Sequence, residues 1–251
     1  MVGTNEEPAE TGPGEALFHL IAEDLDLLAR LHDRELDATA LAGLLAAPPE
    51  NWFSFPPTGE ETEAGFALLR DACKTIRKYP EQEVLDDLAA DFSALYLTHT
   101  HRASPNESVW MTEEKLERQE PMFAVRGWYE HYNLKAPNWR TRSDDHLVNQ
   151  IVFLAELLRR ETQASLCDAG RFLDQHLNNW IGEFAIQAAN NCQTPFYAGL
   201  ALITHTYVSQ LRDILEEVTG EARKPLLGVP SENTADPQES PAYIPGAQPS
   251  W

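Results

Sequence analysis

Apolar residues recur at three- and four-residue spacing along almost the whole chain, the signature of amphipathic helices packing one face inward. Leu17, Leu20, Ile21, Leu25, Leu28 and Leu31 mark a first helix. Asp37 has the short acceptor side chain of an N-cap and predicts a second helix to Leu45, stopped by Pro48 and Pro49. Phe66, Leu69, Cys73 and Ile76 outline a third, and Pro80 opens a fourth with Val84, Leu85, Leu88, Phe92 and Leu95 inward. Thr112 can cap a helix to about Asn133, kinked or divided at Pro121. Another starts at Ser143-Asp144-Asp145 and carries Leu147, Ile151, Leu154, Leu157 and Leu158. The last two cover roughly 166–190 and 194–219, the second opened by Thr194-Pro195. No stretch alternates with period two, and no internal repeat is present. The pattern predicts an all-α protein: a single globular helical-bundle domain of about seven to nine helices.

The periodicity fails at both ends. Residues 1–13 are Gly, Pro, Glu and Thr with little to bury, and residues 221–251 hold six prolines. Such segments cannot offset the entropy of ordering, so a disordered tail (1–13), a helical domain (14–220) and a Pro-rich C-terminal tail (221–251) are expected, and trimming the last should cost little stability.

Charge narrows the partners. Of 251 residues 40 are acidic and 19 basic, a formal charge of −21, which disfavours a nucleic-acid backbone as ligand. The excess falls on residues 1–90 and 161–251, while 91–160 is nearly balanced and aromatic-rich. Three scattered cysteines form no CxxC, the first 20 residues lack Lys and Arg, and no apolar run approaches a membrane span. A cytoplasmic protein is the expectation.

Enzyme signatures such as GxSxG, GxxxxGK[ST] and HExxH are absent, and nothing resembles a phosphate cradle. Three histidine sites remain. His99-Thr100-His101 follows a helix and reads as loop histidines near its carbonyl end rather than metal ligands. His32-Asp33 is the dyad of helical metal-dependent phosphohydrolases, here at the end of a helix dense in acids, where a surface position is expected. Asp144-Asp145-His146 stands at a helix start, where carboxylates cap free N–H groups. An alternative function built on these sites is a helical metal- or nucleotide-dependent hydrolase.

Three segments around the last site carry a resemblance. Asp91-Phe92-Ser93-Ala94-Leu95-Tyr96, then Ser104-Pro105-Asn106-Glu107-Ser108-Val109-Trp110, then Asp145-His146-Leu147 come in the order and spacing of the TorD/DmsD family of molybdoenzyme maturation chaperones. Phe92 to Tyr96 is similar to the family's aromatic-x-x-Leu-aromatic element, and Pro105, Ser108 and Trp110 to its Pro-x-x-Ser-x-aromatic element. Asp145-His146 aligns with the end of Glu-x-Pro-Asp-His; Phe172, His176 and Trp180, then Pro195-Phe196-Tyr197, resemble later elements. Arg142 stands where the family has Glu, and Asp144 where it has Pro, so the role of that Glu does not transfer.

The resemblance implies a non-enzymatic protein without a cofactor of its own. Its partner is the catalytic subunit of a molybdenum oxidoreductase, whose twin-arginine signal and apo form it holds until a molybdopterin guanine dinucleotide is inserted, preventing premature export. An arginine-bearing apolar signal needs carboxylates beside an apolar groove. Glu107, Asp144 and Asp145 supply the charge, with Ser108 and His146 beside them. Tyr96, Trp110, Met122 and Trp128 supply the groove, while Phe123 is expected in the core. His146, following two carboxylates, is expected to be charged and to donate a hydrogen bond. Arg142 is expected to pair with one of those acids, and the 99–110 loop and the start of the 144–160 helix to present these groups at the surface. Client identity and oligomeric state are left open.

Overall fold

A computed structural model describes residues 13–77, 81–98 and 103–227. In chain order the elements are α1 (Pro13–Asp33), α2 (Ala38–Leu45), a 3-10 turn (Pro49–Trp52), α3 (Glu60–Ile76) and α4 (Glu81–Phe92), the last running into a π-helical turn (Ser93–Leu97). Then follow α5 (Glu107–Met111), α6 (Glu120–His131), α7 (Leu147–Arg159), α8 (Gln163–Gln175), α9 (Leu177–Asn191) and α10 (Pro195–Thr219). The architecture is all-α, as the periodicity requires. Pro80, His99 and His101, and the tails 1–12 and 228–251, lie outside the described residues.

The apolar stripes meet in one core. α1 packs on α7, and α10, whose Phe196, Leu200, Ile203, Tyr207, Leu211 and Leu215 are all buried, packs on α3 and α9. Chain halves are thereby interleaved. α3 and α10 come close enough that small residues are needed: a Cβ on Gly199 would lie 2.9 Å from the Gly65 carbonyl oxygen and from Leu69 Cγ. Asp37 caps α2 as expected, its carboxylate accepting the Ala40 N–H at 2.8 Å.

Four buried aspartates tie this core to its loops by accepting main-chain N–H groups from distant segments. Asp24 takes Ser54 and Phe55, Asp91 takes Gln193 and Thr194 at the head of α10, Asp145 takes Ser108, and Asp174 takes Lys224. Each gives loop N–H groups an acceptor that is itself buried in the core. Part of the acidity is thus internal scaffolding rather than solvated surface.

The helix count exceeds the expectation among the described residues, for local reasons. Thr112 does not open a helix; its hydroxyl donates to the Ser108 carbonyl and closes α5. Lys115 and Arg118, at φ 51° and 59°, then keep the chain out of helix until Pro121 sits in the first turn of α6. The expected 166–190 helix is two, broken at His176 (φ −128°, ψ −92°). The C-terminal boundary also moves. After Gly220 (φ 72°) ends α10, residues 221–227 strap across α8 and α9. The Glu221 carbonyl accepts from Arg212, Lys224 N–H reaches Asp174, and Leu227 N–H reaches Asn179. Arg212 and Asp174 form a buried, two-pronged ion pair, and the strap hydrogen-bonds to both, so trimming these seven residues is expected to cost stability.

Candidate functional site

The two segments singled out around Asn106 and His146 are clipped together as the described residues' isolated antiparallel bridge. Leu147 N–H donates to the Pro105 carbonyl at 2.7 Å, and Glu107 N–H to the Asp145 carbonyl at 3.2 Å. Around the clip the side chains close a network. The Asp145 carboxylate accepts the Ser108 N–H (2.8 Å), the Ser108 hydroxyl (2.5 Å) and the Ser143 hydroxyl. Glu107 accepts from Gln150 at 2.8 Å and is hydrogen-bonded to His176 Nδ1 at 2.9 Å. Burial raises the Glu107 carboxyl above its ordinary range, with His176 pulling the other way.

These groups are inside. Glu107, Ser108, Asp144 and Asp145 are each 4% exposed or less, which corrects the expectation that they are presented to a ligand. A carboxylate ringed by buried donors is worth more as a tie between segments than as a surface charge. Asp144 pairs with Arg126 at 2.6 Å, and its carbonyl accepts from Tyr129. Trp110, half-buried, donates its indole N–H to the Ser104 carbonyl.

His146 departs from expectation too. It is itself the N-cap of α7, and its Nδ1 accepts the Val148 N–H at 3.1 Å. An accepting Nδ1 carries no proton, so in this geometry the ring is neutral. Phe123 is the converse error: it is 57% exposed and lies under the Arg126 guanidinium, not in the core.

Of the dyad placed at the surface, His32 is inside, while Asp33 is partly exposed. His32 is buried between α1, the π-helical turn and α10. The Thr204 hydroxyl donates to the Leu200 carbonyl, so it accepts from His32 Nε2–H at 2.8 Å; His32 Nδ1 then accepts from the Tyr96 hydroxyl. Burial lowers the His32 imidazolium to about 3. Both ring nitrogens are engaged, leaving no lone pair for a metal. Among the described residues no group of three or more His, Cys, Asp and Glu side chains is placed to hold one. Tyr96 is therefore a wall residue, anchored through His32.

Two hollows open beside this scaffold. A polar cavity of about 540 Å³ is lined by His32, Asp33, Tyr96, Asn106, Glu117, Arg142 and His146, among others. An apolar groove of about 470 Å³ runs between α1 and α7 under the 134–137 loop, lined by Ala29, Leu134, Ala136, Val148, Val152 and Phe153. Arg142 pairs not with Glu107, Asp144 or Asp145 but with Asp33. The sequence reading assigned Asp33 to a surface dyad and Asn106 to a motif segment without giving either a part in a cavity, and it did not single out Val152. A signal for the first existed: a basic residue at an acidic motif position calls for a carboxylate elsewhere.

A family model for the nitrate reductase delta subunit matches residues 60–185, half of the chain. The chain belongs to the TorD/DmsD family of molybdoenzyme maturation chaperones. It is 24% identical over 220 residues to the chaperone protein TorD of Shewanella pealeana, covering 84% of this chain and 96% of that one. It is 25% identical over 189 residues to TorD of Shewanella loihica, 73% and 87% of the two chains. To TorD of Actinobacillus succinogenes it is 28% identical over 177 residues, 69% and 86%. The residues matched by the family model contain the clip and most of the polar cavity's lining, but not His32 and Asp33. No helix among the described residues is long and apolar enough to cross a membrane.

Proposed function

We propose that this chaperone binds the twin-arginine signal and the apo form of a molybdenum oxidoreductase catalytic subunit in the cytoplasm. It would hold the client through cofactor insertion and keep it from premature export. The observation that carries this reading is the adjacency of the two hollows. A polar cavity with Asp33 and Glu117 on its wall suits guanidinium groups, and the apolar groove beside it suits the hydrophobic run that follows them. The buried clip has a different part: Asp145, Ser108, Glu107 and His176 fix the wall, and His146 and Tyr96 face the cavity from it. The net charge of −21 adds long-range attraction for a cationic segment, screened beyond roughly 8 Å at physiological salt. Calorimetric titration with a peptide of two arginines and an apolar run tests the reading. Saturable binding, weakened when both arginines become glutamine, is expected; no binding of the client's own signal would overturn it.

A further inference from the structure

The polar cavity and the apolar groove have two lining residues in common, Asp33 and Arg142, so this ion pair is the partition between them. Asp33 ends α1 and holds two guanidinium groups at once. Arg142 Nη1 lies 2.5 Å from its Oδ1, and Arg34 Nη2 lies 2.9 Å from its Oδ2. A carboxylate at a helix C-terminus faces the negative end of the dipole, a poor place for it unless cations are supplied. The Asp33 and Arg142 side chains are 25% and 28% exposed, enough for exchange and little enough for the contact to count. On the polar side, buried Asn106 donates its amide N–H to Glu117, while its Oδ1 has no hydrogen-bond partner among the described residues. Arg142 sits on the loop between α6 and α7, where the N–H groups of Thr141 and Arg142 both bond to the Asn138 carbonyl. This local turn lets the side chain swing without a helix moving.

We propose that Arg142 is an internal stand-in for an arginine of the bound segment. Binding exchanges one guanidinium for another on Asp33 and joins the polar cavity to the apolar groove. The inference rests on the twin-arginine reading above and names the carboxylate and the competitor within it. The exchange keeps Asp33 paired throughout, so the cost of desolvating it is already met in the free protein, and net affinity comes from the groove. Lysine is a poorer exchanger, because its single ammonium lacks the planar fork that a carboxylate grips.

The test is titration of wild type, Arg142→Gln, Arg142→Lys and Asp33→Asn with a peptide of two arginines and an apolar run, and with its two-lysine counterpart. Removing the competitor is expected to tighten the arginine peptide roughly threefold to tenfold in Arg142→Gln, with Arg142→Lys between it and wild type. Asp33→Asn is expected to bind the two peptides alike. Equal or weaker binding of the arginine peptide by both Arg142 variants, with wild type binding well, overturns the inference and leaves the twin-arginine reading standing. Failure of all four proteins to bind either peptide overturns the reading and the inference with it.

Discussion

The clip between Asn106 and His146 and the Asp33–Arg142 partition lie on the walls of one cavity, yet they are built oppositely. In the clip, Asp145 is fully buried and accepts three donors, each from a segment it must hold. At the partition, Asp33 is partly exposed and pairs with two arginines, Arg142 and Arg34, that are themselves partly or largely exposed. A buried, saturated carboxylate is costly to disturb and cannot take a ligand without unmaking the fold. A half-buried pair is worth little net and is easily exchanged. The residues that match the motif are therefore framework, and the exchangeable chemistry sits on Arg142, where the chain departs from the motif, and on Asp33, which lies outside it.

The largest effect is expected of Asp145→Ala. It strands the Ser108 N–H and two hydroxyls in the interior, and a loss of about 3–5 kcal/mol in unfolding free energy is expected. Denaturant titration measures it. A variant as stable as wild type that no longer binds the signal peptide would make Asp145 a ligand group and dissolve the contrast.

His32 stands behind the same wall, and acid should expose its role. The unfolded imidazole protonates near 6.5, whereas the folded one resists until about 3. Between those values the unfolded chain binds more protons, so the His32 contribution is complete above pH 6.5 and is lost progressively as pH falls. Wild type should lose about 2 kcal/mol more than His32→Phe between pH 7 and pH 5. Parallel stability profiles for the two proteins would mean that His32 takes up its proton in the folded state.

These two predictions also mark what the sequence could and could not reveal. The core stripes and the Asp37 cap were legible because they depend on neighbours within two turns. His32 was legible in part: Leu25, Leu28 and His32 share the same three- and four-residue spacing, so the ring belongs to the apolar stripe although its polarity suggested the surface. The break at His176 was not legible, since helical periodicity runs through it and its partner Glu107 is 69 residues away. The motif segments were rightly brought together, but burial was misjudged. A break in helical pattern reads as an exposed loop unless a distant carboxylate accepts its N–H groups, and sequence spacing does not show such a partner. Asp33 was noticed only as half of a surface dyad; its pairing was not legible because its partner, Arg142, is 109 residues distant.

On the groove side the effects move from stability to affinity. Val152 lies on α7, lines the apolar groove and is 46% exposed. Val152→Gln should leave unfolding within about 0.5 kcal/mol of wild type, since an exposed helical site tolerates either residue. Signal-peptide affinity should fall roughly fivefold to tenfold, about 1–1.4 kcal/mol, as an apolar contact is lost. Unchanged affinity by calorimetry would put the hydrophobic run elsewhere.

His146 joins the two regions, capping α7 from the clip while lining the cavity, and its variants separate the two roles at the smallest scale. His146→Ala removes the acceptor for the Val148 N–H, and a loss of about 1 kcal/mol is expected, the usual effect of deleting an N-cap side chain. His146→Asn offers a carbonyl oxygen in nearly the same place and should recover most of that stability. Because the ring nitrogen facing Val148 is an acceptor, the capping form is neutral and gives a cationic ligand no opposing charge. His146→Asn should therefore keep signal-peptide affinity within about twofold, a difference smaller than one ordinary exposed ion pair. Stability recovered with affinity lost tenfold would assign His146 to the ligand rather than to the helix, and would move the boundary between framework and exchangeable surface one residue beyond Asp145.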